Sequence, residues 1–131
     1  MMMQYSLLDR RPEESCLGLL KSAGIGVLVG GALARGLLIS KPAVPYLNYN
    51  EDEVAKMAAA VGSHSGKERS AGQTALGFVT VNSAVSTVVS GVRTLTQLED
   101  VAGVMDVPSL KEDEVRELRE VLPANVYKDH R

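Results

Sequence analysis

The residues of this chain best suited to chemistry are cations set beside glycines. In "SGVRTLTQLED" a β-branched run ends, Gly91 allows a tight turn, and a helix opens at Thr94. A helix N-terminus carries unpaired N–H groups and partial positive charge, so it attracts phosphate. Arg93 stands at that mouth with a forked guanidinium suited to phosphate oxygens. The competing reading is a solvated arginine beside an ordinary cap, and the pattern alone leaves both open. "GGALARG" follows an earlier apolar run, with Arg35 and Lys41 as nearby cations. Glycines there would let a ligand approach the backbone. The stretch is neither a Rossmann G-x-G-x-x-G nor a Walker A loop, so by itself it is a weak signal.

Other reactive residue types carry less. His64 and His130 lie in polar surface segments without metal-ligand spacing. "NYNEDE" clusters carboxylates, and "KEDEVRELRE" reads as a solvated helix face. No G-x-S-x-G nucleophile elbow is present. Cys16, the single cysteine, falls on the apolar side of an expected helix and reads as packing. One cysteine excludes an internal disulfide and suits a reducing, cytoplasmic setting.

A chain of 131 residues suits one domain, 1–131. Its net charge of −2 and mixed charge signs point away from a nucleic-acid surface. Arg35 interrupts the apolar stretch "AGIGVLVGGALARGLLI", and the run Ala23 to Ala34 is short of the ~20 residues a membrane span needs. "MMMQYSLLDRR" places its charges after its apolar part, unlike a signal peptide. The expectation is a soluble protein.

These candidate loops need elements to hold them. Met1 to Leu8 reads as a buried strand, followed by a helix through Cys16, Leu17, Leu20 and Ala23 that ends at Gly24. Gly26 to Val29 is an unalternating apolar run, expected to be a strand covered on both faces. Helices are expected over Asp52 to Val61 and Lys67 to about Asn82, and a strand over Ala84 to Gly91. Capping boxes are expected at Thr94 with Gln97 and at Ser109 with Glu112. The second opens an extra helix near Lys111 to Leu122, and "ANVYKDHR" follows as a polar tail. Strands alternating with helices imply parallel βαβ units. In a (β/α)8 barrel, phosphate commonly binds the loops after strands 7 and 8, and two successive loops here carry glycines and a cation.

At these loops the sequence resembles the aldo/keto reductase family. The residues that carry the resemblance are "QYSLLDRRPEE", "GIGVLVGGALARGLLISK", "AVSTVVSGVRTLTQLED" and "VYKDHR", in family order over nearly the whole chain. The resemblance implies an α/β fold: part of a (β/α)8 TIM barrel, the three C-terminal βα units plus an extra C-terminal helix. It matches the chain to strands 6, 7 and 8, so the first five βα units would be absent. It further implies a hydride-transferring oxidoreductase that uses NADP(H), with its tyrosine, lysine, aspartate and histidine in strands this chain does not contain. No catalytic residue is therefore assigned. By the same resemblance Gly31, Leu33 and Arg35 line the pyrophosphate and Lys41 reaches the phosphates. Gly91 and Arg93 surround the adenosine 2′-phosphate, and Gln97 and Asp100 lie beside the adenine. Gly30, Ala32, Met2 and Val101 depart from common family residues, which leaves the phosphate end better preserved than the nicotinamide end.

Three functions follow as expectations. The chain is the NADPH-binding part of a reductase, inactive alone; or a non-enzymatic nucleotide-binding or oligomerising half-barrel; or one subunit of a split reductase. Its expected partners are NADPH and either the missing N-terminal half-barrel or a second copy, with no nucleic acid and no membrane.

Overall fold

The computed structural model describes residues 1–129; His130 and Arg131 lie outside them, and with them the end of "VYKDHR". Three strands, β1 (Met2–Gln4), β2 (Val27–Gly30) and β3 (Val85–Val88), form one sheet in the order β1-β2-β3. Both pairings are parallel, with Met2 opposite Leu28 and Leu28 opposite Thr87. Helix α1 (Cys16–Ser22) joins the first two strands. α2 (Glu51–Ser63) and α3 (Ala71–Thr80) join the second and third. After β3 come α4 (Leu95–Ala102) and the extra helix α5 (Glu112–Glu120). The parallel alternation expected from the sequence is therefore present.

β1 and β3 are shorter than expected, while β2 keeps four residues and is shifted by one. β1 stops at Gln4 because Ser6 and Asp9 exchange backbone N–H···O bonds of 3.1 Å each, closing a tight turn. β2 is not covered on both faces. Val27 and Val29 are fully buried beneath the helices, whereas Leu28, on the opposite face, is 39 % exposed. Each buried valine contributes about 1.5–3 kcal/mol. The core they enter holds Tyr5, Leu7, Leu8, Leu76 and Phe78. Gly24, at φ +70°, ends α1 in the left-handed region as expected.

Two helix starts differ from expectation. α3 begins at Ala71, not Lys67, since Ser70 caps it: Ser70 Oγ accepts from Gln73 N–H, and Gln73 Oε1 accepts from Ser70 N–H. The residues before it form a loop arranged around Arg69, only 9 % exposed. Its guanidinium donates to the His64 and Pro108 carbonyls, Thr74 Oγ1 and Glu114 Oε2. α5 is capped at Lys111 rather than Ser109, because Leu110 is first buried against Gly77 of α3. Glu114 Oε1 then accepts from Lys111 N–H at 3.1 Å.

Two surface expectations also change. His64 meets α5: its Nε2 lies 3.2 Å from Glu117 and its Nδ1 3.7 Å from Glu114. Two carboxylates of the supposed solvated face of α5 are thus engaged. The segment after Pro123 is not simply a polar tail. Asn125 is 5 % exposed, accepts from Arg10 N–H at 2.8 Å and donates to the Leu8 carbonyl at 3.1 Å. Arg11 stacks over the Tyr127 ring, 4.9 Å from its centroid. Side-chain amides can satisfy backbone groups far away in sequence, a role that composition does not reveal.

Candidate functional site: a cationic cleft at the strand ends

In a parallel sheet all strands end on the same side, so the loops after β2 and β3 meet. Val89 N–H continues the ladder onto the Val29 carbonyl at 2.8 Å, holding the two loop origins together. Between them lies a cleft of about 520 Å³. All eight residues expected at a nucleotide site line it: Gly31, Leu33, Arg35, Lys41, Gly91, Arg93, Gln97 and Asp100.

The first wall is built from unusual backbone. Gly31 has φ +68°, and Ala34, Arg35 and Gly36 follow in the left-handed region at +48°, +59° and +88°. Left-handed backbone costs roughly 1–2 kcal/mol at a residue with a Cβ. Here the turn is held by N–H···O bonds from Ala34 to Gly31, Gly36 to Leu33 and Leu37 to Ala34. Burial of Ala34, Leu37 and Leu38 anchors it to the core. Arg35 and Lys41 remain exposed on the cleft side.

The second wall is the start of α4. Thr94 Oγ1 accepts from Gln97 N–H at 3.1 Å, as the capping pattern predicts. The reciprocal half differs: Gln97 Oε1 accepts from Arg93 N–H at 2.8 Å, one residue earlier than the Thr94 N–H of a regular capping box. Gln97 therefore organises the Arg93 turn. Asp100 turns toward α3, where a Cβ on Gly72 would stand 2.7 Å from Asp100 Oδ2. Its backbone carbonyl accepts from Gln73 Nε2 at 2.9 Å.

The cleft gathers three cations, Arg35, Lys41 and Arg93, beside one carboxylate, Asp100. Arg10, Arg11, Arg69 and Arg119 each pair with a carboxylate, at 2.9, 2.7, 2.8 and 3.3 Å. Arg35, Lys41 and Arg93 have no ion pair among the described residues, yet all three line one cleft. Unpaired cations around a concave surface suit a polyanionic ligand. Gly36, Ser40, Val89 and Ser90 also line the cleft and were not singled out from sequence. Their only signal was adjacency to residues that were.

Neighbouring groups do not extend the site. Tyr5 is buried and donates to Glu13 at 2.6 Å, and burial followed by that carboxylate holds its phenol well above the usual range. Asn50 and Glu53 of the carboxylate cluster form a reciprocal cap on α2. Among the described residues no group of three or more His, Cys, Asp and Glu could hold a metal ion. No helix there is long and apolar enough to cross a membrane.

Three βα units with a cationic cleft at the carboxyl ends of the strands define part of a (β/α)8 barrel. Residues 1–123 match the profile of the Aldo/keto reductase family, and the chain belongs to that family. It is 32 % identical over 139 residues to the uncharacterized oxidoreductase YqkF of Bacillus subtilis, covering 99 % of this chain and 45 % of the relative. It also matches the holo form of the aldo-keto reductase AKR11C1 from Bacillus halodurans with a TM-score of 0.86 and 32 % identity. That match covers 98 % of this chain and 44 % of the other. The glycerol dehydrogenase AKR11B4 from Gluconobacter oxydans matches with a TM-score of 0.75 at 19 % identity over 99 % of this chain and 45 % of that one, a likeness of fold alone. The chain therefore spans under half the length of these relatives.

Proposed function

We propose that the chain supplies the phosphate-binding side of an NADPH site in an aldo/keto reductase. The observation that carries this reading is the convergence on one cleft of Arg35, Lys41 and Arg93, which have no carboxylate partner among the described residues. A cleft of about 520 Å³ lies within the 300–1,000 Å³ common for small ligands. Arg35 and Lys41, on one wall, suit the pyrophosphate. Arg93, beside the α4 N-terminus, suits the 2′-phosphate, where the helix dipole and the guanidinium act on the same charge. Gln97 keeps the Arg93 turn in place. When bound, NADPH supplies the hydride that reduces a carbonyl. The residues of this chain bind and orient; none is assigned as proton donor, and the Tyr5 phenol is committed to Glu13.

The barrel partner belongs to the same reading. β1 and β3 each have one unpaired edge, and α4 buries none of its residues, with Leu95 70 % exposed. Five further βα units, in the same polypeptide or a separate one, would pair both edges, cover α4 and bring the catalytic groups.

Calorimetric titration of NADPH into the 131-residue chain tests the reading. Saturable binding that weakens with added salt is expected. Heats indistinguishable from buffer would overturn it. Steady NADPH oxidation with a reactive aldehyde, surviving further purification, would contradict the absence of a catalytic group.

A further inference from the structure

We propose that Gly36 is a positioning residue whose bare Cα forms the floor that aims the Lys41 ammonium into the cleft. The inference rests on the phosphate-site reading and adds to it a residue with no charge of its own. Three observations meet at Gly36. Its φ of +88° puts it in the left-handed region. Its carbonyl accepts N–H bonds from Ile39, Ser40 and Lys41, each at 3.2 Å, so the chain from residue 36 to 41 closes on one oxygen. A Cβ built on Gly36 would stand 3.2, 3.3 and 3.4 Å from Lys41 Cδ, Cε and Cγ.

The last observation decides the role. Three consecutive carbons of the Lys41 side chain lie flat over the glycine. An exposed lysine ordinarily samples many rotamers, and fixing it costs side-chain entropy. Here backbone closure sets the origin of the side chain and the glycine surface sets its direction. The ammonium makes no ion pair among the described residues, so no carboxylate holds it in place. Any Cβ at position 36 meets the flexible stem first, so the stem must give by a few tenths of an ångström and the ammonium shifts with it.

The test uses the full chain and four proteins: unvaried, Gly36→Asn, Lys41→Met and the double variant. Asparagine tolerates left-handed backbone, so it keeps the turn while adding the Cβ. In the ligand-free chain, nuclear Overhauser contacts are expected between the Gly36 α-protons and the Lys41 methylenes; their absence overturns the proposal. Each single variant is expected to weaken NADPH binding by about three- to tenfold. The double variant should bind no more weakly than Lys41→Met. Additive losses, or an unchanged affinity in Gly36→Asn, would remove Gly36 from this role while leaving the phosphate site standing. If the unvaried chain takes up no NADPH, the phosphate-site reading fails and this inference with it. Should Gly36→Asn not fold, the Overhauser contacts decide.

Discussion

At the scale of single residues, the cleft depends on cations left without partners and the fold on amides fully engaged. Arg93 belongs to the first kind. Its backbone is held by Gln97 while its guanidinium makes no ion pair among the described residues. A charge-assisted hydrogen bond is worth roughly 1.5–3 kcal/mol, so a tenfold to hundredfold preference for NADPH over NADH is expected. Arg93→Ala should lose most of that preference with little change in NADH binding. Calorimetry with both cofactors checks this, and equal affinities in the unvaried protein would return Arg93 to ordinary solvation. Asn125 belongs to the second kind. Asn125→Leu leaves the buried Arg10 N–H and Leu8 carbonyl without their partner. At about 1–3 kcal/mol for each unsatisfied group, a loss of roughly 2–6 kcal/mol in urea unfolding is expected. A loss below about 0.5 kcal/mol would show that water replaces the amide.

At the scale of elements, α5 is docked by charge as much as by its apolar stripe. Leu118 and Leu122 are buried, and Val115 packs against the core. Glu114 adds the polar clamp: the Lys111 N–H, then the Arg69 guanidinium, hold its carboxyl below the usual glutamate range. In the window between that lowered value and about 4.3, the unfolded chain binds more protons than the folded one. The contribution is therefore present above about pH 4.3 and is lost as pH falls through the folded value. Chemical denaturation at about pH 6 and pH 3.5 should show Glu114→Gln losing less stability on acidification than the unvaried chain. Parallel losses would place the pH dependence elsewhere.

At the scale of the molecule, the sheet has two open edges and a face on which Met2, Leu28 and Val89 are exposed. Met105, beyond α4, is 81 % exposed. Parallel strands are ordinarily covered on both faces, and open edges recruit other chains. The chain by itself is expected to self-associate or melt broadly in solution. Sedimentation velocity combined with thermal unfolding checks this. A monodisperse monomer with one sharp transition would show that the three βα units are sufficient alone.

Periodicity and turn chemistry determined which elements exist. The apolar stripes of α1 and α3, the left-handed stop at Gly24, the Thr94 cap and the parallel alternation were all legible, since each depends on residues within a few positions of one another. Among the candidate site residues, Gly91, Arg93, Arg35 and Lys41 stood out by residue type and position, and Gly31, Leu33, Gln97 and Asp100 through the family resemblance. The tertiary structure decided what depends on distant partners. Arg69 displaced the start of α3 by engaging residues 64, 108 and 114, and Asn125 closed onto residues 8 and 10. It also decided which face of β2 is covered, because alternation within one strand cannot say where the helices pack. The charge of the cleft was settled the same way. A sequence shows where arginines and lysines stand, but only packing shows which of them have met a carboxylate. Opposite charges pair across any separation in sequence once the fold brings them within reach.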